Sequence, residues 1–446
     1  MKFKHKNIII AVLVIICFLP GLAGAKAQEP QTEAQAAILI EQVSGTVLYA
    51  KDAYRRMYPA STTKILTALL AVETADMDAL VTVGPEINLV SKGSSLARLS
   101  VGDTITLRDL IYGLMLPSGN DAAYTIAAYL ARRQSGNPDL SAPEAIKVFV
   151  DMMNARARKL GAKDTHFTGP DGFHAADHYT TAYDLSLLAR EAMRHPFIRT
   201  VVSTADYTPD SWKGSNTCSW KNNNLLIHSL NDFYYPAATG LKTGYTGQAG
   251  FCLISSGSSN ALDLIAVCLK TSEAGRWSDA KALLDYGFAN YTWLQLVKAK
   301  EAIHTVSITN GDYGQPDAVM LTAAEGFAGV FAQEDAGRIK KEIVIDNNLL
   351  ETKNSLGEAA AAAQGEYALR APLSKGQVVG QVKFTLGGRE LFSADLIVTA
   401  DVAPRPWWRT TPALTIIVCG LIFVAAITAL SIRRRRKTEL APGNSH

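Results

Sequence analysis

The alternation of apolar and polar positions divides this chain into segments of different period. A basic start, Met1-Lys2-Phe3-Lys4-His5-Lys6, leads into an apolar stretch over 7–22 and then Ala25-Lys26-Ala27, which predicts a secretory signal, residues 1–27, cut after Ala27. The β-rich runs 37–40 and 46–49 flank Ser44-Gly45 and predict a hairpin. Pro59 keeps its predecessor extended and sets up a helix from near Ser61 through the apolar run 65–72. Short strands follow, then a helix opened by Thr106 and Asp109, a loop over 116–121, and a fresh apolar run over 122–130. Helical periodicity returns over 142–160, with Ile146, Val148, Phe149, Met152, Met153 and Leu160 on the expected buried face. Thr181 and Asp184, three apart, read as a capping box.

From Leu241 the period turns to that of strands. Apolar arms over 250–256 and 262–268 across a turn at 257–260 predict a hairpin, followed by a helix over 277–288. Strands at both ends with helices between predict one α/β (α+β) domain, residues 28–295, in which helices flank a central antiparallel sheet shared by its terminal segments. After Trp293 the runs become short and alternating, broken by turns such as Gly387-Gly388, and predict a small all-β domain over 296–403 acting as a spacer. The alanine run at 359–363 has no assignment.

A linker over 404–412 precedes an uncharged apolar segment, 413–432. About twenty residues at ~1.5 Å each suffice for a ~30 Å hydrocarbon layer. Trp407 and Trp408 stand at its upstream edge and Arg433-Arg434-Arg435-Arg436-Lys437 open the tail, 433–446, so the positive-inside rule places that tail in the cytoplasm and everything before Trp407 outside.

Composition changes this picture little. The chain has 446 residues, 48% hydrophobic, and a formal charge of +3, enough for two cores; part of its positive charge lies in the two terminal runs, which argues against a nucleic-acid partner. Of five cysteines, Cys17 and Cys419 fall in the apolar terminal segments. Cys218, Cys252 and Cys268 are odd in number and widely spaced, so they predict buried thiols, with no disulfide framework, no metal site and no cofactor.

Three short motifs carry the candidate chemistry: Ser61-Thr62-Thr63-Lys64 at a helix start, Ser118-Gly119-Asn120 between helices, and Lys242-Thr243-Gly244 on a strand. Each alone has an ordinary explanation: an N-cap serine, a turn, a strand end. Together and in this order they resemble the three-motif set of a known group of acylating serine enzymes, and each has a physical role in that chemistry. A lysine one helical turn from Ser61 acts as base only when burial and nearby positive charge lower its pKa, and Lys242 is placed to supply that charge. Ser118 relays a proton to the leaving amine, Asn120 orients Lys64 and holds the substrate amide, Thr243 and Gly244 offer a hydroxyl and an open approach, and backbone N–H groups of Ser61 and Tyr245 form the oxyanion hole.

With these motifs the chain resembles the low-molecular-mass penicillin-binding proteins that are serine-type D-alanyl-D-alanine carboxypeptidases. The likeness extends to the Gly172-Phe173-His174 and His178-Tyr179-Thr180-Thr181-Ala182 segments and to 280–288, and spans roughly 36–402. It implies a serine β-lactamase/transpeptidase-like fold and removal of the terminal D-alanine from peptidoglycan pentapeptide stems through an acyl-serine, with covalent inhibition by β-lactams. It also implies that Ser61 is the nucleophile, Lys64 its base, Ser118, Asn120 and Lys242 the remaining catalytic groups, and that Thr243 and Arg276 hold the substrate carboxylate. A surface salt-bridge arginine at a helix start is the alternative for Arg276. Family members often carry an amphipathic C-terminal helix lying on the membrane, whereas this apolar run reads as a true span. Two other readings stand beside the carboxypeptidase. A class A β-lactamase needs a deacylating glutamate, and where those enzymes carry it this chain has Asp151-Met152-Met153-Asn154. A catalytically silent cell-wall or β-lactam sensor would keep the motifs without turnover, and endopeptidase cleavage of cross-links is a further activity open to the same site.

Overall fold

The computed structural model describes residues 29–214, 216–352, 367–409 and 411–438. The predicted signal segment 1–27, the alanine run at 359–363 and tail residues 439–446 lie outside the described residues. The chain divides into two compact units, Met1–Thr292 with Ala332–Glu334, and Trp293–Phe331 with Asp335–His446.

In the first unit β1 (Ala36–Glu41) and β2 (Val47–Lys51) form the expected hairpin. A 3₁₀ turn, Ala60–Thr63, precedes α1 (Lys64–Thr74), so the α-helix proper begins one turn later than the apolar pattern predicts. The short pair β3 (Leu80–Thr82) and β4 (Thr104–Thr106) introduces a helical layer of α2 (Leu107–Met115), α3 (Asn120–Ser135), α4 (Ala142–Lys159), α5 (Ala182–Ala192) and α6 (Pro196–Ser203). A minimal pair, β5 (Asp206–Tyr207) and β6 (Trp220–Lys221), leads to β7 (Ala238–Thr246), β8 (Gly250–Ser259), β9 (Leu262–Thr271) and α7 (Gly275–Asn290).

The main sheet runs β2-β1-β9-β8-β7, antiparallel throughout, and β1 pairs with β9 from Ala36↔Leu269 to Glu41↔Leu264. The two ends of the unit thus share one sheet, as the strand-helix-strand order predicts. Helix α5 packs on β1 and β9, and α7 packs on β8 and β9. A sheet covered on both faces needs apolar residues on both, which is why β1 is buried at every position and β9 at nearly every one.

Local signals hold with adjustments. Thr106 and Thr181 both cap helices, each hydroxyl accepting from the N–H three residues on. The Asp184 carboxylate, however, accepts from the Asp164 N–H and the Thr165 hydroxyl, so Thr181 caps its helix without the reciprocal half of a capping box. On α4, Phe149 and Met153 are buried while Ile146, Val148, Met152 and Leu160 are half-buried. The hairpin turn is not at 257–260: β8 continues to Ser259, paired with Leu262, and the chain reverses at Asn260 (φ 49) and Ala261 (φ 63), the left-handed pair a two-residue hairpin requires. Among the described cysteines none is bridged; Cys252 and Cys268 are buried and Cys218 only half so.

The second unit contains a seven-stranded sheet around a core that includes Val306, Leu321, Leu369, Val382, Leu396 and Val398. Its pairs are antiparallel except for Ala302–Thr309 with Tyr367–Arg370, which run parallel. The C-terminal helix, Thr411–Thr438, contains the stretch Ala413–Arg436, long and apolar enough to cross a membrane, with its apolar side chains exposed.

Candidate active site

The site is built where the turn before α1, the turn before α3 and the edge strand β7 meet. Ala60 takes a left-handed conformation (φ 49), and Ser61 sits in the 3₁₀ turn that follows. Lys64, the first residue of α1, is buried with its side chain one turn from Ser61. Its Nζ donates to Ser61 Oγ at 2.9 Å, to Asn120 Oδ1 at 2.7 Å and to the Asp171 carbonyl at 2.7 Å, so all three ammonium protons have acceptors.

The Ser118-Gly119-Asn120 turn is held in place by backbone strain and backbone bonds. Ser118 is left-handed (φ 64), the Gly119 N–H donates to the Gly113 carbonyl at 3.0 Å, and the Asn120 N–H donates to the Ser95 carbonyl at 2.8 Å. A Cβ at Gly119 would fall 2.7 Å from the Gly113 carbonyl, so only glycine admits this approach. On the opposite side β7 passes close to the serine turn. A Cβ at Gly244 would lie 3.0 Å from the Pro59 carbonyl and 3.1 Å from the Ser61 nitrogen, tight enough to push the strand away.

Ser61, Ser118, Asn120, Thr243, Gly244, Tyr245 and Arg276 all line one cleft of about 790 Å³. Lys64 and Lys242 lie buried, and Lys242 Nζ donates to the Thr243 carbonyl at 3.1 Å. The fold therefore gathers all nine residues singled out from the sequence. Arg276 starts α7 with its guanidinium 4.7 Å from the Phe251 ring and 4.4 Å from Trp277; its Nε is buried without a hydrogen-bond partner. Its nearest carboxylate, the mostly exposed Glu273, stands 3.9 Å away, too loose for a strong surface pair.

Burial lowers the Lys64 pKa to about 8, against the pull of the Asp171 and Asp121 carboxylates. Burial, the first half of the expectation, does the lowering and outweighs both carboxylates, while the repulsion between the two lysines is felt at Lys242. Lys242 is lowered well below the lysine range, first by burial, then by Lys64 and by Arg276.

Two participants escaped the sequence reading. Asp171, in the polar 168–174 loop, is buried; its carbonyl meets Lys64, its Oδ2 accepts from Asn120 Nδ2 at 2.6 Å and its Oδ1 from the Phe173 N–H at 3.1 Å. One hydrogen of the Asn120 amide nitrogen is left for a ligand. The loop is pressed against the serine turn at Gly172 (φ 83), where a Cβ would fall on the Ala60 carbonyl. His178, also buried, meets Thr63 Oγ1 through Nε2 at 2.9 Å, and burial lowers its pKa to about 4, leaving a neutral ring. The composition of the loop marked it as special, but no spacing rule joins Asp171 to a lysine 107 positions away. Asn154 lies away from the chemistry, its amide bonded to both backbone groups of Phe167. Among the described residues no aspartate or glutamate lines the cleft.

The partly exposed carboxylates Glu73 and Glu191 approach His195 in a grouping that resembles a cation site, but the Arg156 guanidinium bonds both carboxylates and fills that role.

Residues 23–273 match the family described as D-alanyl-D-alanine carboxypeptidase, and residues 291–404 match the C-terminal domain of penicillin-binding protein 5. The chain is 30% identical over 388 residues to D-alanyl-D-alanine carboxypeptidase DacF of Bacillus subtilis, covering 84% of this chain and 94% of the relative. It is 38% identical over 255 residues to a Streptomyces D-alanyl-D-alanine carboxypeptidase, covering 55% of this chain and 84% of that one. Among solved structures, penicillin-binding protein 5 from Haemophilus influenzae superposes with a TM-score of 0.60 at 29% identity, over 84% of this chain and 99% of that one.

Proposed function

The chain belongs to the D-alanyl-D-alanine carboxypeptidase family of serine peptidases, and from that premise we propose that it removes the terminal D-alanine of peptidoglycan pentapeptide stems through an ester on Ser61. The observation that carries this reading is the buried Lys64 within 2.9 Å of Ser61 Oγ, its pKa lowered to about 8. In its neutral form Lys64 accepts the serine proton as Oγ attacks the penultimate D-alanine carbonyl. The Ser61 and Tyr245 N–H groups hold the oxyanion. The proton then passes by way of Ser118 to the departing D-alanine amine, the C–N bond breaks, and water hydrolyses the ester to return Ser61 to its starting state.

Thr243 and Arg276 hold the substrate's terminal carboxylate, and Lys242 lies buried beside them with its Nζ donating to the Thr243 carbonyl. The buried, unpartnered Arg276 Nε beside the cleft supports that role over a surface ion pair. A β-lactam enters the same path and acylates Ser61. With no carboxylate among the described residues that line the cleft to activate a deacylating water as a class A β-lactamase does, the penicilloyl ester is expected to persist.

The test measures D-alanine release from a diacyl-D-alanyl-D-alanine peptide alongside labelling by a fluorescent penicillin. Release together with long-lived labelling supports the carboxypeptidase. Labelling without release would leave a sensor, and rapid turnover of the drug would leave a β-lactamase. Mass spectrometry of digested cell wall before and after treatment separates trimmed stems from cleaved cross-links.

The catalytic unit lies outside the cell, residues 413–432 span the membrane and the basic tail is cytoplasmic. The apolar stretch Ala413–Arg436 and its arginine-rich end support this topology.

A further inference from the structure

A second groove, of about 370 Å³, adjoins the cleft at Gln248, which lines both. Arg55, Arg56 and Lys270 contribute to its walls together with Tyr58 and Tyr179, and among the described residues no aspartate or glutamate lines it. Arg56 is already engaged: it donates to Asp164 at 2.8 Å and lies 4.6 Å from the Tyr179 ring. Arg55 and Lys270 are exposed and form no ion pair or side-chain hydrogen bond among the described residues. The groove therefore presents two uncompensated cations and nothing to balance them.

The backbone at Lys270 is unusual for a lysine. Between the pairs Phe251↔Thr271 and Leu253↔Cys268 the register shifts, so Leu269 and Lys270 together oppose Cys252, and Lys270 takes φ 54. A left-handed conformation is strained for a non-glycine residue, and a bulge beside a site turns a side chain that the regular pleat would aim elsewhere. The partner strand accommodates it: Gly250 has no side chain, and a Cβ there would stand 3.3 Å from Lys270 Cγ.

The direction of the cleft supplies the ligand. With a terminal carboxylate at Thr243 and Arg276 and the scissile carbonyl at the Tyr245 N–H, the acyl part of a peptide lying along the β7 edge advances toward Gln248. Tyr58, which lines the groove, is three residues from Ser61, so their Cα atoms lie within about 10 Å of each other. We propose that Arg55 and Lys270 form a subsite for a carboxylate carried by the acyl segment, upstream of the alanine that Ser61 attacks. This rests on the carboxypeptidase reading above and names the substrate feature that the enzyme selects.

The experiment compares D-alanine release by the full chain in detergent from two pentapeptides, L-Ala-γ-D-Glu-L-Lys-D-Ala-D-Ala with its free α-carboxylate and the same peptide with that carboxylate amidated. The expected kcat/KM ratio favours the acid by about tenfold at low salt and shrinks at about 0.5 M salt, because charge-assisted contacts in an open groove are screened. In Arg55→Gln the ratio falls, and in Arg55→Gln with Lys270→Gln it approaches one, with penicillin labelling of Ser61 reporting that the fold is retained. A wild-type ratio near one, or an equal loss on both peptides in the variants, overturns the subsite alone. Failure to release D-alanine from either peptide overturns the carboxypeptidase reading and the subsite with it.

Discussion

Lys64, itself buried, meets three acceptors, and the balance between burial and two nearby carboxylates leaves its pKa at about 8. A base works only when unprotonated, so the rate of penicillin acylation is expected to rise with pH through about 8 and to level off above it. A rate independent of pH across that range would remove Lys64 from the base role. Ser61→Ala is expected to abolish labelling while changing stability by about 1–2 kcal/mol, because it removes the 2.9 Å bond accepted from Lys64 and a long 3.4 Å bond donated to the Asp171 carbonyl. Thermal unfolding and labelling of the same sample check both halves. Asp171→Ala strands the buried Asn120 Nδ2 and removes the acceptor of the part-buried Phe173 N–H. It is expected to destabilise the protein by about 1–3 kcal/mol and to slow acylation by loosening the amide that orients Lys64.

At the level of elements, the site depends on close backbone approaches more than on side-chain bulk. The 168–174 loop touches the serine turn at Gly172, where φ is 83 and a Cβ would meet the Ala60 carbonyl. Gly172→Ala is therefore expected to cost about 1–3 kcal/mol and to slow acylation out of proportion to the lost stability, since the turn it displaces carries Ser61. Unchanged acylation kinetics in a folded Gly172→Ala protein would show that the turn tolerates the shift. The β8–β9 hairpin offers the opposite sign: Ala261 occupies a left-handed turn position that glycine adopts without strain, so Ala261→Gly is expected to raise stability by up to ~1 kcal/mol, read as a higher Tm.

On the scale of the whole molecule, an α/β catalytic unit and a β unit precede one apolar helix, and the arrangement expects an enzyme that works at a membrane surface. Removing everything after Val402 is expected to shift penicillin labelling from the membrane fraction to the soluble one. Retention at the membrane would point to another anchor. A tag placed after His446 should react with an impermeant probe only once the cells are opened, if the basic tail is cytoplasmic.

Chain order, local periodicity and composition were enough to assign the α/β unit, the β unit, the apolar helix, the helix caps at Thr106 and Thr181, and the three motifs, because each is written in residues a few positions apart. Hairpin pairing is local too, yet the turn fell at Asn260 and Ala261 because the register of β8 on β9 outweighed the polar run at 257–260. Tertiary structure alone decided how deeply Lys64 and Lys242 are buried, and hence the pKa of the base. It also brought the Asp171 carbonyl to a lysine 107 residues away and turned Lys270 toward a groove shared with Arg55. These depend on desolvation and on contacts between distant segments, which exist only once the sheet has joined the two ends of the unit and closed the helices over it.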